Sequence, residues 1–433
     1  MLLKNKLQHG LQTCRSFLQR QAEQIAEGGL SVLLRKLRRM AGAMRDLFLS
    51  LPAVLVVLIV RMLRPLVTVR LGPLRSSRIG HFAMEPEMYL CRRDVGMHGG
   101  QRAIDVFYYS TPALICNHQV KKMWERTLSH VLPISWFTYL VVRVNGWLPG
   151  SDKHTIPMEL VGDTHGLLVR LPSHLSFTPE EEHNARGALS KLGIPQGAPF
   201  VCFHARDSSY LTATQPYKDW RYHDYLNVNV NDYLLAAEEL TRRGYFVLRM
   251  GAVVREALNV ENPMIIDYAT KARSDLLDIY LCSACQFFLA STTGLTSVPM
   301  VFRKPIAWAN YISLERICNW DVRGLVIPKK LWLRKEGRFL TFREILASEI
   351  GRFSYTEQFE KLSIGIVDNS PEEIRDLALE MDERLKGTWE TTEEDEELQR
   401  CFWSIFETNG LHRVTSNLRI GAYFLRQHRE LLN

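Results

Sequence analysis

Between Leu30 and Met44 apolar residues recur at helical spacing. Leu30, Leu33, Leu34 and Leu37 share one face, and Arg35, Lys36, Arg38 and Arg39 lie largely off it. This pattern predicts a basic amphipathic helix. An uncharged stretch, Leu47 to Val60, follows between Asp46 and Arg61, with Pro52 inside it. It falls short of the roughly 20 residues a spanning helix requires, so a monotopic or re-entrant anchor is expected. A hydrophobic core helix is the plainer alternative. Beyond Pro65 the pattern turns strand-like over Leu66 to Val69, and again over Ala103 to Tyr109. Helices are expected around Glu85 to Cys91 and over Gln119 to His130, with a further short strand over Val141 to Trp147. Thr178, Pro179 and the acids Glu180, Glu181 and Glu182 predict a helix start: cap, first-turn proline, acids at the positive end of the dipole. Gly193 and Pro195 stop that helix.

The second half opens near residue 196. Phe200 to Phe203 is a continuous apolar run that breaks off in His204, Arg206 and Asp207. It predicts a buried strand whose carboxyl end is polar. Val230 to Arg243 reads as an amphipathic helix, with Tyr233, Leu234, Ala237 and Leu240 on one face and Gly244 ending it. Strands are expected at Tyr245 to Leu248, leading to Arg249, Met250 and Gly251, and at Met264 to Ile266, leading to Asp267. A helix over Ser274 to Cys282 follows. Strands then fall at Gln286 to Ala290, leading to Ser291–Gly294, and at Pro305 to Trp308. Strands alternating with helices predict an α/β fold with a parallel sheet covered on both faces. Ligands of such sheets sit outside the carboxyl ends of the strands, where these polar clusters fall.

Charge changes the picture of the first segment. The 433 residues carry a net +7, but residues 1–80 hold 14 Lys/Arg and 3 Asp/Glu, a local +11 that leaves 7 − 11 = −4 for the rest. The basic character belongs to the amino-terminal arm and suits an anionic membrane surface, not a general nucleic-acid-binding face. With 46% hydrophobic residues the chain can fill two cores of ordinary domain size. Its eight cysteines are scattered, with one pair at Cys282 and Cys285, and read as buried thiols in a reducing compartment. The 13 histidines show no zinc spacing. Glu393 to Glu397 is expected as a solvated linker or a helix start. Neither Gly-x4-Gly-Lys-Ser/Thr nor Gly-x-Gly-x-x-Gly occurs, which argues against a P-loop NTPase and a Rossmann dehydrogenase.

Two stretches carry candidate chemistry. Arg206 has the planar, permanently charged fork that grips two oxygens of a diphosphate; a surface ion pair is the alternative. Hydroxyl and amide groups at Ser291, Thr292, Thr293 and Gly294, ahead of a helix, suit phosphate oxygens; a capping turn is the alternative. Arg78, Gly80 and His81 form a third, weaker cluster after the first strand of the amino-terminal half, where a glycine turn can approach a ligand.

These residues resemble GT-B glycosyltransferases. His204-Ala-Arg206-Asp207 is similar to the His-x-Arg signature of the fucosyltransferase-like branch. Ser291–Gly294 is similar to that branch's donor motif and to the matching turn of heptosyltransferases. From about Arg78 to Asn310 the chain resembles a bacterial family of glycosyltransferases of unassigned substrate, through RIGHFAMEPEMYL, FHARDSSYL, YHDYLNVNVNDY, LRMG and FFLASTTG. The resemblance implies two Rossmann-like lobes facing a cleft, preceded by a helical arm. The divisions expected are an arm over 1–64, an acceptor lobe over 65–195, a nucleotide-sugar donor lobe over 196–385, and a helical tail over 386–433. In this fold such a tail often packs on the amino-terminal lobe. Arg206 would hold the donor diphosphate, with His204 beside it. Arg249, Gly251, Ser291, Thr292, Thr293 and Gly294 would line the donor site, and Arg78, Gly80, His81 and Glu85 the acceptor side. Leu226 replaces the basic residue expected in the Asp-Tyr-x-Asn segment, which leaves the roles of Asp224 and Asn227 open. With no Asp-x-Asp in the chain, metal-independent transfer is expected, with no cofactor beyond the nucleotide sugar as co-substrate. Asp207 is the first candidate base, with Asp224, His81 and Glu85 behind it. The expected acceptor is a cell-surface polysaccharide or glycolipid, and the expected location the cytoplasmic face of the inner membrane, peripheral or monotopic. A catalytically inactive sugar-nucleotide or phosphoglycan-binding scaffold is the alternative.

Overall fold

The computed structural model describes residues 29–30, 32–34, 36–38, 41–42, 44–45, 48–97, 103–110, 114–158, 163, 165–317, 323–408 and 418–433. Arg35, Arg39, Asp46 and Leu47 of the basic and apolar segments lie outside the described residues. The chain forms two compact units. One comprises Met1–Leu71, Gln101–Tyr108 and Leu132–Ile156; the other comprises Gly72–Gly100, Tyr109–Val131 and Pro157–Asn433.

In the first unit residues 48–62 are helical and are called α1, with Pro52 inside this stretch. Ala53 and Val57 on α1 pack against Leu140 and Val144 of helix α4 (Trp136–Trp147). That i, i+4 seam explains why Val141 to Trp147 is not the strand its β-branched residues predict. Ser135 caps the helix through the Thr138 N–H, and burial of Leu140 and Val144 outweighs the small strand preference of the valines. Arg61 donates to the carbonyls of Asn145 (3.2 Å) and Pro149 (2.6 Å), a cation at the negative end of α4. No helix among the described residues is long and apolar enough to cross a membrane.

Strands β1 (Thr68–Leu74) and β2 (Ala103–Tyr109) pair as a two-stranded sheet, with Arg70 gripping Asp105 through two bonds of 2.6 and 2.8 Å. Gly72 and Pro73 lie within β1, and Leu71 also forms a single parallel bridge with Thr155.

In the second unit, helix α2 (Ile79–Asp94) begins six residues before the position the apolar pattern suggests. Pro86 inside it cannot donate to the Phe82 carbonyl, and the Trp124 indole N–H fills that vacancy at 2.7 Å from helix α3 (His118–Thr127). The Thr178 start of α6 (Pro179–Lys191) is as expected, a reciprocal capping box with Glu181.

The core of this unit is a seven-stranded parallel sheet, which bears out the expected α/β class. Its strands are β3 (Phe200–His204), β4 (Phe246–Arg249), β5 (Ile265–Ile266), β6 (Phe288–Ala290), β7 (Ile306–Tyr311), β8 (Leu325–Pro328) and β12 (Arg419–Ile420). Their spatial order is β12-β8-β7-β6-β3-β4-β5. The chain therefore runs outward from β3 through β4 to β5, then returns to lay β6 on the other side of β3. The sequence pattern did not reveal β8 or the antiparallel trio β9 (Lys330–Leu333), β10 (Arg338–Phe339) and β11 (Ile364–Val367). The acidic run opens helix α15 (Glu393–Thr408), and Asp395 forms a bidentate pair with Arg426. The tail then supplies β12 beside β8. Edge pairing uses N–H and C=O groups that would otherwise stay unpaired at the sheet margin, so the tail is integral to this sheet.

Candidate active site

Order reverses between β3 and β6, so these neighbours form the topological switch point, outside whose carboxyl ends sheets of this kind bind their ligands. His204 pairs in register with Ala290. The polar residues that follow the two strands, Ala205–Asp207 and Ser291–Gly294, are therefore side by side. The Arg206 amide donates to Ser291 Oγ at 3.0 Å, and the Ser291 amide donates to the His204 carbonyl at 3.2 Å. The two stretches that the sequence marks are thus neighbours and form one candidate site.

The Arg206 guanidinium is held from one side. Its Nη1 donates to Asn227 Oδ1 (2.5 Å) and to the His223 carbonyl (3.3 Å), and Asn227 Nδ2 donates to Asp224 Oδ1 (2.9 Å). Asp224 and Asn227 thus orient Arg206, a role the resemblance left open. Burial lowers the Arg206 pKa, with Tyr225 and Asp224 opposing. Around it stand further cations, of which the sequence singled out Arg78 alone. The Lys218 ammonium lies 4.4 Å from the Trp220 ring centroid, and the Arg78 guanidinium 5.5 Å from it. Lys329, buried just past β8, donates to the carbonyls of Tyr225 (3.1 Å) and Asn227 (3.0 Å) and pairs with Asp368. Its pKa is lowered, first by burial and, among the charges, by Arg206.

Two histidines share this field. Burial is the first cause that takes His204 down to about 4, with Arg206 and Arg249 adding to it. Burial, then Arg206, Arg78 and Lys218, take His223 down to about 4. Both rings are neutral at physiological pH. His204 Nδ1, His223 Nδ1 and Thr292 Oγ1 are buried polar atoms without a hydrogen-bond partner among the described residues. Natural interiors rarely leave such atoms unsatisfied. Converging cations with open polar atoms between them suit an anionic, oxygen-rich ligand.

Helix α2 delivers the third cluster. A Cβ on Gly80 would lie 3.0 Å from the Gly294 carbonyl oxygen and 3.1 Å from Gly294 Cα. Only two glycines let the first turn of α2 touch the turn after β6 this closely. No side chain caps α2, so its first amides are free of a side-chain acceptor. His81, beside Gly80, pairs through Nδ1 with Glu85 Oε1 at 2.8 Å, and Arg75 donates to the same oxygen at 3.0 Å. Glu85 is buried and His81 about a third exposed. We expect Gly80→Ala to push against backbone that cannot swing away, costing about 1–3 kcal/mol of stability. Scanning calorimetry would show it, with turnover falling further than stability explains. Gly187→Ala, in open space on helix α6, should be neutral or stabilising.

Other selected residues serve the framework. Asp207 accepts the amides of Ser209 (2.8 Å) and Arg255 (3.0 Å), one on each oxygen, and so organises two loops. Arg249 is buried, donates to the Glu256 carbonyl at 2.6 Å and lies 3.6 Å from Asp267; its charge is spent inside the protein. Gly251 has φ +157, and a Cβ there would meet Val254 Cγ1 at 2.6 Å, so it shapes the same loop. The Thr293 carbonyl accepts from Thr296 Oγ1 at 2.6 Å, which starts the short helix after the turn.

Glu87, Cys91 and His174, away from this site, are the one group of metal-ligating side chains close together among the described residues. Arg303 Nη2 sits between Glu87 Oε1 (2.6 Å) and Cys91 Sγ (3.6 Å), the place a cation would take. Hydrogen bonds, with Cys91 the largest cause and Glu87 next, raise the His174 pKa to about 10. A pKa raised from 6.5 gives stability that is complete below pH 6.5 and fades as pH rises towards 10. Thermal melts should therefore decline between pH 7 and 10, and His174→Ala should flatten that decline. Cys202, Cys282 and Cys285 are buried free thiols, as their spacing suggests.

No family model and no curated protein sequence matches the chain. Solved structures do. ADP-heptose lps heptosyltransferase II of E. coli is similar at 17% identity and a TM-score of 0.30, over 55% of this chain and 84% of that one. A family 9 glycosyl transferase from Veillonella parvula DSM 2008 is similar at 10% identity and a TM-score of 0.32, over 55% and 79%. The iron-containing dodecameric glycosyltransferase TibC from enterotoxigenic E. coli H10407 is similar at 12% identity and a TM-score of 0.29, over 55% and 57%.

Proposed function

We propose that the protein is a GT-B glycosyltransferase that moves a sugar from a nucleoside-diphosphate donor to a hydroxyl of a glycan or glycolipid, without a metal, at a membrane surface. The observation that carries this reading is the contact of Gly80 with Gly294. It joins a polar, uncapped helix start bearing Arg78 and His81 to the switch-point crevice bearing Arg206 and Ser291–Gly294.

In the proposed reaction the acceptor oxygen attacks the anomeric carbon as the bond to the diphosphate breaks. The bonding electrons leave with the diphosphate, whose growing charge meets Arg206, Arg78, Lys218 and the amides of the turn. His81 is the proposed base. Its Nδ1 proton is held by the Glu85 carboxylate, which leaves Nε2 with a lone pair to take the acceptor proton. Asp207, whose oxygens already accept two amides, is the weaker candidate.

The test is calorimetry with GDP, UDP, ADP, CMP and their sugars in the presence of EDTA, followed by turnover with the one that binds. Tight binding of one nucleotide and release of its diphosphate support the reading. Binding without turnover would favour the non-catalytic scaffold, and no binding by any nucleotide would sink the glycosyltransferase reading and leave a phosphoglycan-binding scaffold. Turnover abolished by EDTA and restored by a divalent cation would refute metal independence.

A further inference from the structure

Helix α1 is apolar all round. One face packs on α4, while Phe48, Leu51, Leu55 and Met62 form a stripe on the other, each 60–78% exposed. A helix of this kind is expected to be covered on every side. Helix α4 repeats the pattern, with Trp136 and Trp147 at its two ends, 62% and 64% exposed. Eleven residues separate the indoles, about 16 Å along the axis. Each carries a cation: Arg45 lies 4.1 Å from the Trp136 ring centroid and Arg143 lies 5.0 Å from that of Trp147.

We propose that α1 and α4 together form a lipid-binding face that lies in the plane of an anionic bilayer, the indoles at headgroup level and the apolar stripe below them. The inference deepens the membrane part of the function proposed above: it adds α4, which lies far from the basic arm in sequence, and names the lipid class. Two observations commit it to lipid. Residues 30–66 contain seven Lys/Arg and one acid, and residues 134–150 contain one Arg and no acid, so the segments that carry the two helices complement negative charge. Trp paired with Arg is the side-chain combination that suits a boundary between apolar and charged layers.

The test uses the full chain and vesicles of phosphatidylcholine alone or with phosphatidylglycerol. Wild type should co-sediment with the anionic vesicles at least ten times better than with the neutral ones, and brominated lipid should quench its tryptophan fluorescence. Trp136→Ser/Trp147→Ser should lose most of the vesicle binding while its affinity for the nucleotide stays unchanged, which separates this inference from the catalytic reading. Vesicle binding unchanged in the double variant would overturn the role of α4. No binding of wild type to anionic vesicles would overturn the inference as a whole, as would a dimer in solution that the double variant dissociates, because a second copy would then cover the face. Should the double variant fail to fold, quenching of the wild type decides: none would overturn the inference.

Discussion

Arg206→Ala is expected to weaken nucleoside-diphosphate binding by about 10- to 150-fold, the equivalent of about 1.5–3 kcal/mol for hydrogen bonds to a charged group. The cost in kcat/KM should be larger, about 10²–10³, because the diphosphate gains charge as the glycosidic bond breaks. Arg206→Lys should recover little of this. Lysine keeps the charge but not the planar fork, one nitrogen of which bonds Asn227. Asn227→Ala should act in the same direction and more weakly, since it loosens Arg206 without removing it. Titration calorimetry of the three variants checks the order. An Arg206→Ala protein that binds as wild type would move the diphosphate to another strand end.

His81→Asn is expected to lower kcat by about 10²–10⁴ and to leave donor affinity unchanged. Asparagine is polar and close in size, but it cannot take a proton. Glu85→Gln should lower kcat less, because it removes the carboxylate that holds the Nδ1 proton while the ring remains. A loss that appears in donor binding instead would make His81 a donor-site residue. If Asp207→Asn produced the deeper fall in kcat with the fold intact, the base would be Asp207 and the assignment to His81 would be wrong. Steady-state kinetics against donor and acceptor separately distinguish these outcomes.

Much of the sheet was legible because buried parallel strands are short apolar runs with polar ends. Phe200–Phe203 and Phe287–Ala290 needed no knowledge of partners, and their polar followers marked the site. Capping at Thr178 was legible because it is settled within four residues. Helix α4 is not legible because Val141, Val142 and Val144 prefer strands weakly, while Ala53 and Val57, some 85 residues away, pack against Leu140, Val141 and Val144 as a helical seam. Arg249 follows its strand just as a ligand-binding arginine would, and only the Glu256 carbonyl and Asp267 reveal an internal one. Trp220, Lys218 and Lys329 carry no motif, and His223 has no assigned role within its stretch. They enter the site because a loop and the end of β8 fold over Arg206.

By itself the sequence determined the class of fold, the strands of the central sheet up to β7, and the residue types at their carboxyl ends, because each depends on period and polarity within a few positions. Tertiary structure alone decided which of those ends meet. The return of β6 to the flank of β3 set two motifs 85 residues apart side by side, and the Gly80–Gly294 contact brought the start of α2 against the second. Strand order and glycine-on-glycine approach are properties of packing between distant segments, and no local pattern encodes them.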